Sequence, residues 1–118
     1  MILNQESLKN SEQWTAKGFK VPAYDREQVT KNTMENPNWI HFGAGNIFRA
    51  FQANVLNDLL NAGKTDKGLI VAEGYDYEII DAAYRKQDNL GIFVNLKCDG
   101  NIEKIIVGSV VESLKVDP

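Results

Sequence analysis

The spacing of hydrophobic residues changes several times along this chain. Residues 1–37 are mostly polar and lack a clear period, with Gly18, Pro22 and Pro37 as breakers. They read as an irregular N-terminal leader with at most a short helix near residues 5–14. Trp39, Ile40, His41 and Phe42 then form a short run that stops at Gly43, the pattern of a strand buried on both faces. From Asn46 the interval becomes three and four. Ile47, Phe48, Phe51, Val55, Leu56, Leu59 and Leu60 mark one face of a helix about four turns long. Gly63 is placed to close it in the left-handed conformation.

A second apolar run, Leu69, Ile70, Val71 and Ala72, ends at Glu73 and Gly74. Strand, helix and strand within about 35 residues is the size of a βαβ unit, whose crossover is right-handed. A second helix is expected over 77–87, with Ile79, Ile80, Ala83 and Tyr84 inward. Asp76 is placed to cap it, and Asp81 to pair with Arg85 one turn on. The period then falls to two: Ile92, Val94, Leu96 and Cys98 alternate with Phe93, Asn95 and Lys97. Asp99-Gly100 signals a hairpin, and 102–111 reads as the returning strand, with Gly108 a bulge or close approach.

Composition narrows the chemistry. The chain has 118 residues, 43% of them hydrophobic and 25% charged, so a single packed domain is expected. A net charge of −3 without a Lys/Arg run gives no footprint for nucleic acid. Apolar runs fall far short of the roughly 20 residues that span a bilayer, and residues 1–14 lack the form of a secretory signal. With Cys98 the only cysteine, these features point to the cytoplasm. One His and one Cys exclude a His/Cys zinc site.

The turn between the first strand and the first helix is where an open α/β sheet binds its ligand. Unpaired N–H groups and the positive end of the dipole attract an anion there. Gly43 permits the tight turn, and Gly45 lets the backbone come against a diphosphate. With Ala44, Asn46, Ile47, Phe48 and Arg49 they make up the candidate cofactor-binding loop. An acid at the end of the second strand, Glu73 or alternatively Asp76, would accept hydrogen bonds from the adenosine ribose and favour NAD over NADP. The third glycine of the common pattern falls at Phe48, which prevents the closest packing of helix on strand. Without G-K-[ST], a P-loop is not expected. The fold class is therefore α/β, a partial Rossmann-like dinucleotide-binding fold with an antiparallel hairpin insertion. Its domains are expected to be the leader, 1–37, and the N-terminal part of a Rossmann-type unit, 38–118.

The string from His41 to Ala53, H-F-G-A-G-N-I-F-R-A-F-Q-A, resembles the signature of the mannitol dehydrogenase family, roughly H-x-G-x-G-x-F-H-R-A-H-Q-A. This family comprises the long-chain polyol and sugar-acid dehydrogenases, among them mannitol 2-dehydrogenase, fructuronate reductase and tagaturonate reductase. Pro22-Ala23-Tyr24-Asp25-Arg26 is similar to its Pro-x-Tyr-Asp-Arg element. The stretch from Gly91 to Leu114 is similar to its antiparallel insertion. From residue 18 onward the resemblance covers most of the chain.

The resemblance implies the nucleotide-binding part of an NAD-dependent enzyme that interconverts a polyol or sugar acid and its keto form by hydride transfer. Phe48 and Phe51 stand where many members have histidines, which leaves the substrate subgroup open. Members run to several hundred residues, with a helical C-terminal domain carrying the catalytic lysine. That domain is absent from this sequence, and the chain alone is expected to be inactive.

Other readings stand beside these. Arg49 could help neutralise a diphosphate or serve as an ordinary ion-pairing helix residue. His41 reads as a packed strand residue, Cys98 as an inert thiol. An S-adenosylmethionine-dependent methyltransferase also has a glycine-rich first loop and an acid ending its second strand. Its usual acid before the first glycine is missing, since Ile40-His41-Phe42 fills that place. A non-catalytic binding or assembly module is the third reading, because an incomplete sheet leaves edges that favour self-association.

Overall fold

The computed structural model describes residues 2–117. In chain order these form α1 (Gln5–Leu8), α2 (Ser11–Ala16), β1 (Phe19–Lys20), α3 (Arg26–Glu35), β2 (Ile40–Phe42), α4 (Asn46–Ala50), α5 (Gln52–Asn61) and β3 (Leu69–Glu73). Next come α6 (Tyr77–Ile79), a π turn (Ile80–Tyr84), a 3-10 turn (Arg85–Gln87), β4 (Gly91–Leu96), β5 (Ile102–Val107) and β6 (Val110–Lys115).

The apolar run of β3 makes it the centre of a parallel sheet of order β2-β3-β6, and all five of its residues are buried. His41 pairs with Val71 on one side of the sheet, and Val71 with Ser113 on the other. The crossover α4–α5 covers this sheet with Phe48, Ala53, Leu56 and Leu60. Ile80 and Tyr84 join the same core. Each fully buried Leu or Ile there contributes about 1.5–3 kcal/mol. The second sheet has order β1-β5-β4, with β4 and β5 antiparallel and β1 parallel to β5. Trp14 and Phe19 meet edge to face, 5.2 Å between centroids, in the cluster that buries Ile106 and Leu90.

Residues 1–37 are not the irregular leader expected. Besides α1 and α2 they hold the ten-residue α3. Its sequence shows no apolar period because polar contacts anchor it. Asp25 caps it by accepting the Gln28 N–H, and the Thr33 hydroxyl accepts the Gly68 N–H at 2.8 Å. The Arg26 guanidinium, 7% exposed, donates to the carbonyl oxygens of Gly108, Asp88 and Val110 and to the Gln5 side chain.

β2 is not buried on both faces either. It is an edge strand, with Ile40 50% and Phe42 74% exposed. The single helix expected after it is broken at Phe51 (φ −108°, ψ −80°). Its apolar face divides there: Phe48, Leu56 and Leu60 point inward, while Ile47, Phe51, Val55 and Leu59 form an exposed ridge. Gly63 closes α5 at φ +70° as expected.

The helical path over 77–87 is present, but it changes winding from α to π to 3-10. Asp76 makes no side-chain cap. Asp81 pairs with Lys115 at 2.7 Å rather than with Arg85, which turns to the Ser113 carbonyl oxygen.

The hairpin forms around Asp99 and Gly100, but its returning strand ends at Val107. After Gly108 and Ser109 the chain crosses into the other sheet as β6. Gly108 is a close approach as expected, since a Cβ there would lie 2.9 Å from Arg26 Cδ and from the Tyr24 hydroxyl. Among the described residues, no helix is long and apolar enough to cross a membrane, and no His, Cys, Asp and Glu cluster could hold a metal ion.

Candidate functional site

The turn after β2 is built residue by residue. Gly43 takes φ +109°, a region that side chains rarely enter, and its N–H donates to the Ala72 carbonyl oxygen at 2.7 Å. Ala44 is fully buried and held at both ends. Its N–H donates to Glu73 Oε1 at 2.9 Å, and its carbonyl oxygen accepts from the Tyr84 hydroxyl at 2.9 Å.

Gly45 is different. It sits in ordinary extended backbone, φ −76° and ψ −179°, at the N-cap of α4, and a Cβ there would meet nothing within 4 Å. The fold itself does not require a glycine at this position. Gly45, Asn46 and Ile47 are exposed, no side chain caps α4, and their N–H groups have no acceptor among the described residues. The turn thus presents consecutive unpaired donors to solvent across a surface without a side chain, a geometry that suits an anion. No neighbouring atom would obstruct an anion approaching Gly45.

Other predicted residues fall around this turn. The Phe48 ring packs inward onto His41, with centroids 4.2 Å apart, and His41 Nδ1 lies 3.0 Å from the Gly43 carbonyl oxygen. His41 is therefore a packing residue, as expected. The Ile47 side chain points to solvent. Arg49 lies with its guanidinium 5.6 Å from the centre of the Tyr84 ring and Nη1 3.4 Å from Asn46 Oδ1, with no ion pair among the described residues.

Glu73 ends β3 and is 9% exposed. Its Oε2 accepts the Gly74 and Tyr75 N–H groups at 3.1 and 3.2 Å. The Ala44 amide is the largest cause holding this carboxyl below the ordinary glutamate range, and burial opposes it. Asp76 stands just beyond and is exposed.

The structure therefore brings Gly43, Ala44, Gly45, Asn46, Arg49 and Glu73 together and leaves Asp76 at their margin. Sequence reasoning missed the part played by Tyr84, which it read only as an inward helix residue. Burial raises the Tyr84 hydroxyl pKa, and the hydroxyl donates to the turn. A cleft of about 270 Å³ runs along the flank of α4 toward β4, lined by Asn46, Arg49, Ala50, Tyr84, Asn89 and Phe93. It touches the turn through Asn46, while Gly43, Gly45 and Glu73 do not line it.

No protein-family model matches the chain. It is 51% identical over 118 residues to D-mannonate oxidoreductase of Thermotoga maritima, a match covering all of this chain and 22% of that protein. It is 33% identical over 107 residues to mannitol 2-dehydrogenase of Cereibacter sphaeroides, covering 81% of this chain and 19% of that one. Among solved structures, mannitol 2-dehydrogenase of Pseudomonas fluorescens in ternary complex with NAD and D-mannitol matches 98% of the chain with a TM-score of 0.79 and 24% identity. That match covers 22% of the larger protein. Substrate-free D-sorbitol dehydrogenase matches with a TM-score of 0.70 and 23% identity, over 98% of this chain and 22% of that one. The chain spans about a fifth of the length of the curated relatives it matches. The chain belongs to the mannitol dehydrogenase family and corresponds to an N-terminal piece of those longer oxidoreductases.

Proposed function

We propose that this chain is the nucleotide-binding part of an NAD-dependent oxidoreductase that interconverts a polyol or sugar acid and its keto form. Bound NAD supplies the hydride acceptor, and NADH the donor, for a secondary carbon of the substrate. Residues 38–118 supply the first part of the dinucleotide-binding domain, and the substrate-handling catalytic domain belongs to the longer family architecture.

The observation that carries this reading is Gly45. Its backbone angles suit any residue and its surroundings are empty, yet it opens a run of unpaired amides at a helix start. The amides of Gly45, Asn46 and Ile47 would hold the diphosphate, and Arg49, without an acidic partner among the described residues, adds positive charge one turn on. Asp76, exposed three residues past the end of the central strand, is the group free to accept the ribose hydroxyls. Together with Glu73 it disfavours a 2′-phosphate, so NAD is preferred to NADP.

The relatives' names support the substrate class, since they include an oxidoreductase of a sugar acid and a dehydrogenase of a polyol. Net charge −3 supports a protein that does not bind nucleic acid, and the lone, exposed Cys98 suits the cytoplasm. The exposed apolar residues of α4 and α5, together with the open edge of β2, support self-association of the chain by itself.

Calorimetric titration with NADH tests the cofactor reading. The wild-type chain should bind, and Gly45→Val should bind at least tenfold more weakly, a loss of about 1.4 kcal/mol. Thermal stability should change little, because the extended backbone accepts a β-branched residue. Equal binding by the two proteins would remove Gly45 from the site.

A further inference from the structure

One acid ends the central strand and another follows three residues on, and the structure treats them differently. Asp76 is exposed, whereas Glu73 is folded back into the protein with both oxygens occupied. We propose that Glu73 is a positioning residue: it ties the Ala44 amide to the end of β3 and so sets the 43–45 turn, leaving the ribose to another group. This inference rests on the dinucleotide reading above and goes beyond it by giving the buried acid a different task.

The hydrogen bonds argue for that task. A carboxylate that receives ribose hydroxyls must turn free lone pairs outward. Here Oε1 accepts the Ala44 N–H at 2.9 Å and Oε2 the Gly74 and Tyr75 N–H groups at 3.1 and 3.2 Å, so three of about four lone-pair sites are spent on the backbone. Charge-assisted bonds of this kind are about twice as strong as neutral ones.

The turn also needs a fastening, because its helix has a glycine N-cap without a capping side chain. Ala44 provides one. Glu73 holds its amide, the Tyr84 hydroxyl holds its carbonyl oxygen, and the preceding Gly43 amide is bonded to Ala72. Beyond Ala44, fixed on both sides, the next three residues are exposed and their N–H groups have no acceptor among the described residues.

Electrostatics sharpens the contrast. A negative charge beside a diphosphate opposes binding, so an acid in this place must serve the protein more than it harms the ligand. Among the described residues no cation forms an ion pair with Glu73. Lys115, its partner in register on β6, is committed to Asp81, and Arg49 lies over the Tyr84 ring.

The two roles separate in a titration of 15N-labelled wild-type, Glu73→Ala and Glu73→Gln chains, each with NADH and, separately, with inorganic pyrophosphate, which has no ribose. A positioning residue predicts that Glu73→Ala weakens both ligands by the same factor, tenfold or more. Glu73→Gln, which keeps a carbonyl oxygen for Ala44, should recover part of that loss. A ribose acceptor predicts loss for NADH alone, and that outcome overturns the proposal. Amide hydrogen exchange decides the matter even without ligand. The Ala44 N–H should be protected in the wild type and exchange much faster in a folded Glu73→Ala chain. Equal exchange in the two also overturns the proposal. Failure of the wild type to bind either ligand would count against the cofactor reading and leave the exchange test intact.

Discussion

The His41 ring lies stacked on the Phe48 ring, 4.2 Å between centroids and 26° between planes. This pair joins the edge strand of the parallel sheet to the first turn of its crossover helix, at the place where a third glycine is common. An aromatic layer fills the interval there that close backbone contact fills in the usual pattern. Phe48 is 4% exposed, so Phe48→Ala should destabilise the chain by about 3–5 kcal/mol in urea unfolding. Phe48→Gly should be no better, because the helix is already set at the wider distance.

Arg26 provides a second check on the architecture. Its buried guanidinium faces three carbonyl oxygens and one side-chain amide oxygen, with no carboxylate among these partners. Burial lowers its pKa, so these acceptors must hold the charge. Arg26→Met should leave the Gly108, Asp88 and Val110 carbonyls without that donor and cost about 3 kcal/mol or more. Arg26→Lys should recover little, because one ammonium cannot reproduce the planar fork. Denaturant midpoints of the two variants test both statements.

The pH dependence of stability follows from Glu73. Its folded pKa lies below the unfolded value, chiefly through the Ala44 amide. The stabilisation is therefore complete above the unfolded pKa and lost as pH falls through the lower folded value. Wild type should be more stable than Glu73→Gln at neutral pH. The difference should shrink on acidification below about pH 4.3, the ordinary glutamate value. Urea unfolding of both proteins between neutral and acid pH gives that difference. A gap that widens on acidification would contradict the assignment.

The exposed ridge of Ile47, Phe51, Val55 and Leu59 predicts concentration-dependent association of the isolated chain. Sedimentation should show larger species as concentration rises, and the double variant Val55→Glu, Leu59→Lys should remain monomeric with its fold intact. A wild-type monomer throughout would exclude that surface as a contact between copies.

Much of the central architecture was legible because its strongest signals are local. The apolar run Leu69–Ala72 of β3, the Gly63 cap, the Asp99-Gly100 turn and the inward Ile80 and Tyr84 follow from period and turn chemistry alone. The loop after β2 was legible for the same reason, as were the acids at the end of β3.

Four features were not legible, each for a physical reason. The helix α3 is fastened by Arg26, Thr33 and Asp25, and polar anchors leave no hydrophobic period; only the Asp25-to-Gln28 capping spacing hinted at it. The division at Gly108 and Ser109 into strands of two different sheets depends on Arg26 and Tyr24 approaching from distant sequence. Which face of α4 and α5 is buried could not be read from an apolar stripe wide enough for two faces. The inward turn of Glu73 was hidden likewise, because sequence spacing places a carboxylate at a strand end without saying which donors it meets.

A crystal structure of this chain soaked with NADH tests the central claim most directly. The diphosphate oxygens should lie about 2.7–3.1 Å from the N–H groups at Gly45 and Asn46, with Ala44 still bonded to Glu73. A diphosphate seated elsewhere, such as in the cleft between α4 and β4, with the turn untouched, would contradict it.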